Sequence, residues 1–167
     1  FFDWILGLVR VRREIYISQL QASLRTGIRE SLAAGVGAIG DILTSFDLAA
    51  IYRDVPLRGR IFCEVLGRDP QQVAERLAAL DALLVVPPSR ALCWGISPHA
   101  PYTLARSTAA QVAEFAAQNS LPMAMHLAET FEEVAFLERA EGPIAEMLYT
   151  VAGWDVAAAD GGHRPID

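Results

Sequence analysis

Short apolar runs of small and β-branched residues alternate along this chain with longer amphipathic stretches, and that alternation restricts the fold more than any other feature. The runs at 36–43, 60–66, 91–96 and 123–127 begin roughly 22 to 35 residues apart, the cadence of βαβ units with parallel strands. Ile17, Leu20, Leu24, Ile28 and Leu32 recur at three- and four-residue steps, so 15–34 is predicted to be a helix with one apolar face. Asp69-Pro70 predicts the start of a second helix over 71–84. Ser107 is expected to cap a third through 118, with Ala110, Val112, Ala113, Phe115 and Ala116 as its apolar positions. Thr130 opens a fourth containing Val134, Phe136 and Leu137, and 142–151 reads as one more short helix before Asp160-Gly161-Gly162. The class is therefore α/β. No internal repeat or linker interrupts the pattern, so residues 1–167 read as one domain or part of one.

Composition removes several function classes. Lys+Arg 14 against Asp+Glu 20 gives a formal charge of −6, with no basic cluster to neutralise a phosphate backbone, so nucleic acid is not an expected partner. The 53% apolar content is interrupted by charges, Pro or Gly well before roughly 18 consecutive apolar residues, the length a membrane span needs. The start, from Phe1 to Arg10, has neither a positive region before its apolar stretch nor a small-residue cleavage site after it, so it is not a signal peptide. It also lacks an initiator Met, and both ends read as cut from something longer. Cys63 and Cys93, thirty positions apart in apolar surroundings, suit a reducing cytoplasm and resemble neither a disulfide framework nor a zinc ribbon.

Three strings carry chemistry. Gly35-Val36-Gly37-Ala38-Ile39-Gly40 matches the dinucleotide-binding pattern, but a helix precedes it and a strand follows, the reverse of the order that places a pyrophosphate at a helix N-terminus. It is read as a helix end followed by a strand of small residues. Ser97-Pro98-His99-Ala100-Pro101-Tyr102-Thr103 follows the third predicted strand, and its prolines fix the backbone around His99. That residue is either a structural hydrogen-bonding histidine or a ligand-binding group at a strand's C-terminal end. In Met123-Ala124-Met125-His126-Leu127-Ala128-Glu129-Thr130, a histidine sits in an apolar strand with Ala124 and Ala128 on its own face. His126 is either a hydrogen-bonded core residue or a metal ligand, with Glu129 three positions later able to turn back beside whatever it binds. A helical site, with His and Glu three apart on one face, is the rival geometry, which Pro122 and the short run oppose. His163, in the Gly-rich end, reads as solvated.

The Ser97 and His126 strings, about 27 residues apart, resemble the paired signatures of the amidohydrolase superfamily, in the branch of cytosine, guanine and nucleoside deaminases and chlorotriazine hydrolases. The runs at 35–43 and 161–166 also look like segments of that family. The resemblance implies a (β/α)8 TIM barrel, of which this chain holds about four βα units and lacks the first and last strands; a full barrel takes roughly 250 residues. It implies a divalent metal, Zn²⁺ or Fe²⁺, with His126 as a ligand, Glu129 carrying a proton from the activated water to the substrate, and His99 contacting or polarising the substrate. Glu64, near the end of the second predicted strand, would point into the barrel mouth as a substrate contact, or serve with Arg58 and Arg60 in surface or core salt bridges. Glu64-Val65-Leu66-Gly67 resembles the string of branches handling adenine-bearing nucleosides, menaquinone-pathway deaminases among them.

Two departures qualify the resemblance: the family's His-x-His is absent, since His99, His126 and His163 are the only histidines, and the further histidine and aspartate it implies on later strands have no place before Asp167. The remaining metal ligands are therefore expected outside this chain. The implied function is deamination of an aminated heterocycle or nucleoside, a small-molecule substrate. Two alternatives stand beside it. One is a catalytically silent fragment that forms a homo-oligomer through open sheet edges; the other is a dinucleotide-binding module.

Overall fold

Ile61, Cys63 and Val65 alternate with Arg60, Phe62 and Glu64, and this period of two sends the first set to one face of a strand and the second to the other. In the computed structural model, which describes residues 2–12, 14–156 and 162, that strand is the centre of a parallel sheet. The sheet has the order β1 (Ala38–Leu43), β2 (Arg58–Val65), β3 (Leu92–Pro98). Ala38 lies opposite Arg58, Gly59 opposite Leu92 and Val65 opposite Pro98.

Helices cover one face of this sheet. Ile61, Cys63 and Val65 of β2 and Leu92, Trp94 and Ile96 of β3 are buried in one cluster with Val73, Leu77 and Leu80 of α3 (Pro70–Leu84) and Val112 and Ala116 of α4 (Arg106–Gln118). Here α1 is Phe2–Arg12 and α2 is Ile17–Ala33. The cluster extends to Leu20, Leu24 and Ile28 of α2 and to Leu48, Ala49, Ile51 and Tyr52 of the 3-10 segment Phe46–Asp54. Each fully buried aliphatic side chain contributes about 1.5–3 kcal/mol. Among the described residues no helix is long and apolar enough to cross a membrane.

The ends of the elements follow local chemistry. Asp69 accepts from the Gln71 N–H at 3.0 Å, with Pro70 in the first turn of α3, as expected from the sequence. Gly35, at φ +81°, follows the end of α2 and leads into β1, so the glycine-rich run joins a helix to a strand. Gly59 is at φ +123°, where a Cβ would lie 1.9 Å from Ile39 O; only glycine lets β1 and β2 pair at this point. Ser107 is not the cap of α4. The cap position is Ala105, because Thr108 is buried and its hydroxyl reaches both Ala105 O and Gly67 O at 2.9 Å, tying the helix start to the exit of β2.

The fourth predicted strand, at 123–127, is not a strand, and among the described residues the sheet holds three strands rather than the four expected. Ile96 N–H donates to Pro122 O and Ala124 N–H to Ile96 O, both at 3.1 Å, making one parallel bridge between Ile96 and Met123. The next rung needs an N–H at position 98, and Pro98 has none. His126 N–H bonds instead to His99 O at 2.9 Å, past the point where pairing stops.

A second apolar cluster gathers beyond the sheet. It joins Ala100 and Tyr102, of and beside the 3-10 turn Pro101–Thr103, to Phe136 and Leu137 of α5 (Phe131–Arg139) and to Ile144, Ala145 and Tyr149. The helix expected over 142–151 is a π-helical segment, Ile144–Tyr149, running into α6 (Thr150–Ala152). His163 and the rest of the 161–166 run apart from Gly162 lie outside the described residues.

Candidate active site

Parallel strands bring their C-terminal ends to one edge of the sheet, and there the chain places Glu64, His99 and His126. Glu64 pairs in register with Ser97, two residues before His99. His99 N–H donates to Val65 O at 3.0 Å, holding the residue just past β3 against the end of β2. The His126 backbone bond to His99 O then sets the two imidazoles together, their rings edge to face with centroids 5.2 Å apart. One ligand atom from each of Glu64, His99 and His126 lies within 4.8 Å of the others. Arg76 secures the floor: it donates to Glu64 O at 3.2 Å and to Thr44 O, clipping the ends of β1 and β2 together.

His99 is half-buried, and that burial lowers its pKa from 6.5. The neighbouring Glu64 and Glu129 carboxylates oppose this shift, while His126 adds to it. The net shift favours the neutral ring. Its Nδ1 lies 2.9 Å from Thr103 Oγ1, which also meets Ala100 O at 2.9 Å.

Glu129 reaches the site by a turn. Ala128 adopts φ +54°, a left-handed conformation costing a non-glycine residue roughly 1–2 kcal/mol. It brings Glu129 Oε1 to 3.7 Å from His126 Nδ1. Glu129 N–H donates to Glu133 Oε2 at 2.8 Å, and Thr130 Oγ1 accepts from Glu133 N–H at 3.2 Å, so the start of α5 grips the backbone of the turn. Tyr102 O–H donates to Glu129 Oε2 over 3.3 Å, and burial together with the Glu129 charge raises the phenol's pKa, keeping its proton in place. Glu133 Oε1 and Ser97 Oγ are buried without a hydrogen-bond partner.

Of the residues singled out in the sequence, Glu64, His99, His126 and Glu129 come together, whereas Arg58 and Arg60 do not join them. Arg60 lies four residues, about 13 Å along a strand, before Glu64, and its guanidinium donates to Trp94 O at 2.7 Å. Tyr102, Thr103, Ala128 and Glu133 were not anticipated. Thr130 and Glu133, three apart, form a helix-start pattern that sequence alone shows. Nothing in the sequence marks Ala128 as left-handed.

Two imidazoles and a carboxylate, with the Glu129 side chain beside His126, are a donor set that suits a divalent cation. The 4.8 Å limit is wider than the roughly 3.3 Å between neighbouring ligands of a four-coordinate zinc. The His126 imidazole fits such an ion in kind, with Glu64 and His99 beside it.

No family model matches the chain. Its relatives by sequence are amidohydrolase-type deaminases, as the paired strings implied. It is 26% identical over 145 residues to an adenosine deaminase of Helicobacter pylori, an alignment spanning 85% of this chain and 35% of the relative. It is 29% identical over 151 residues to an aminodeoxyfutalosine deaminase of Deinococcus radiodurans, spanning 86% of this chain and 35% of the relative. The fold matches the crystal structure of Helicobacter pylori aminofutalosine deaminase in complex with methylthio-coformycin. The TM-score is 0.77 at 24% identity, over 87% of this chain and 36% of that one. A second crystal structure of that enzyme gives a TM-score of 0.72 at 22% identity, over 86% and 35%. The chain thus spans about a third of the length of the curated relatives it matches, and its three-stranded parallel sheet with helices corresponds to part of a deaminase fold.

Proposed function

We propose that this chain forms part of the active site of a metal-dependent hydrolytic deaminase acting on an aminated heterocycle or nucleoside. The observation that carries the reading is the His126–Glu129 pair, 3.7 Å apart beside His99 at the strands' C-terminal edge. The names of the two relatives, an adenosine and an aminodeoxyfutalosine deaminase, support an adenine-bearing nucleoside. The whole protein would close the sheet into a (β/α)8 barrel, with residues 1–167 as part of that one domain.

In this reading His126 is a metal ligand, with further ligands outside this chain. Zn²⁺ or Fe²⁺, when bound, supplies a Lewis acid that lowers the pKa of a water from about 15.7 toward 7. Hydrolysis joins the water oxygen to the amine-bearing carbon, breaks the C–N bond and releases ammonia. Glu129 accepts the water's proton and passes it to the substrate, its carboxylate steadied by Tyr102 and its backbone by Glu133. Glu64 and His99 contact the substrate. Two free cysteines, Cys63 and Cys93, support a cytoplasmic setting.

The test uses the complete gene product. Glu129→Gln should lower turnover by about 10²–10⁴ while metal content, measured by elemental analysis, is kept. His126→Ala should lose the metal. Undiminished turnover in both variants overturns the reading.

One observation favours a second reading, a silent piece that self-associates. Met123, Met125 and Leu127 of the 122–127 segment are 53%, 39% and 41% exposed, an apolar surface that a second copy of the chain could cover. A monodisperse, cooperatively melting monomer in sedimentation and calorimetry overturns it.

A further inference from the structure

The Thr103 hydroxyl touches two groups that make different demands on its one proton. Ala100 O can only accept a hydrogen bond, so the 2.9 Å contact from Thr103 Oγ1 uses the hydroxyl proton. Toward His99 Nδ1, also at 2.9 Å, the oxygen then has only lone pairs to offer. With the hydroxyl proton on Ala100 O, the imidazole is the donor in this contact and its proton sits on Nδ1. Thr103 is held for this task. It is 5% exposed, its own N–H donates to Ala100 O at 3.0 Å, and its carbonyl accepts from Gly67 N–H at 3.1 Å, so both ends of the residue are anchored.

We infer that Thr103 is a positioning residue that fixes His99 as the Nδ1–H tautomer, so that His99 Nε2 meets the substrate as a hydrogen-bond acceptor. An acceptor pairs with an N–H or O–H group. Set against the reacting position, it favours the amino form of a substrate over the oxo form that hydrolysis leaves behind, since a carbonyl at the same place sets two acceptors against each other. A histidine of the opposite tautomer would reverse that preference and hold the product. This consequence rests on the deaminase reading, whereas the tautomer itself does not and is measured without turnover.

The experiment is long-range ¹H–¹⁵N correlation on the ¹⁵N-labelled chain at about pH 8.5, where a histidine is neutral, with the His99 signals assigned by their loss in His99→Gln. The wild type should show a pyrrole-like Nδ1 and a pyridine-like Nε2. Thr103→Ser, which keeps the hydroxyl, should preserve that pattern, and the near-isosteric Thr103→Val should shift the ring to Nε2–H. A wild-type spectrum dominated by Nε2–H overturns the proposal even if Thr103→Val does not fold, and so does a folded Thr103→Val with the pattern unchanged. In the active whole enzyme, Thr103→Val should tighten inhibition by the oxo product about tenfold relative to wild type, and Thr103→Ser should restore the wild-type value. Unchanged product inhibition, with turnover intact, overturns the substrate-facing part alone.

Discussion

The apolar layer between sheet and helices and the cluster around Tyr149 each support part of the site, and they are built differently. In the first, Ile61, Cys63 and Val65 on β2 face Val73, Leu77 and Leu80 on α3, so regular elements meet through the faces their periodicity provides. In the second, a 3-10 turn, α5 and a π-helical segment meet through Tyr102, Phe136, Leu137 and Tyr149, with Tyr149 O–H donating to Tyr102 O at 3.1 Å. Glu64 and His99 stand on the first support, and Glu129 leans on the second through Tyr102 and α5. The His126–Glu129 distance is therefore a measure of how the two supports dock, and the sheet alone does not hold it.

The largest expected contrast is in thiol reactivity. Burial pushes the Cys63 thiol, inside the first cluster, up to about 12, with Arg76 pulling weakly the other way, while Cys93 on the opposite face of the sheet is exposed. An aromatic disulfide reagent should label Cys93 promptly and Cys63 slower by about 10³ or more, as expected if labelling requires opening of a core worth several kcal/mol. Equal rates would mean that the first cluster is not a closed core.

Truncations should separate the supports next. Ile61→Ala should cost about 2–5 kcal/mol in urea unfolding and lower amide protection across the whole sheet. Tyr149→Ala should cost about 3–5 kcal/mol by analogy with other large aromatics, with protection lost first near Tyr102 and Glu129 while the strands keep theirs. Uniform loss in both variants would merge the two clusters into one cooperative unit.

A smaller effect probes the turn between the supports. Ala128→Gly relieves the left-handed strain and should stabilise the chain by about 0.5–1 kcal/mol after the added entropy of glycine in the unfolded state. Ala128→Val should destabilise it. Destabilisation by glycine would show that the turn is not strained.

The smallest is the pH dependence from His99. Its folded-state pKa is lowered from 6.5, mainly by burial, so the native state binds fewer protons than the unfolded chain between the two values. The stability this neutral ring contributes is fully present above 6.5 and is lost as pH falls from there through the lowered value. Denaturant midpoints should drop over that window, and His99→Gln should flatten the drop. An unchanged slope would mean that His99 is as hydrated folded as unfolded.

The paired regions were the legible ones. Helix α2 is readable from Leu20, Leu24 and Ile28, α3 from Asp69-Pro70, and the three strands from their short apolar runs, because these signals are local: periodicity, caps and β-branched content act on near neighbours. The same locality explains the errors. Residues 123–127 have the composition of a strand, but strand pairing depends on the neighbour, and Pro98 on the adjacent strand β3 lacks the N–H for the second rung. Ser107 has the chemistry of a cap, yet Thr108, anchored to Gly67 O across the fold, moves the start of α4.

The amino-acid order by itself determined the α/β alternation, the helix-to-strand meaning of the glycine-rich run, and the candidate groups Glu64, His99, His126 and Glu129, since each is set by residue type and spacing. Only the tertiary structure decided how these groups meet. The register of β2 on β3 sets Glu64 near His99, the broken rung at Pro98 lets His126 bond to His99 O, and the left turn at Ala128 carries Glu129 back to 3.7 Å from that ring. The physical reason is distance along the chain. Thirty-five positions separate Glu64 from His99 and 27 separate His99 from His126, and over such spans the packing of strands and clusters, not local preference, chooses which side chains share a site.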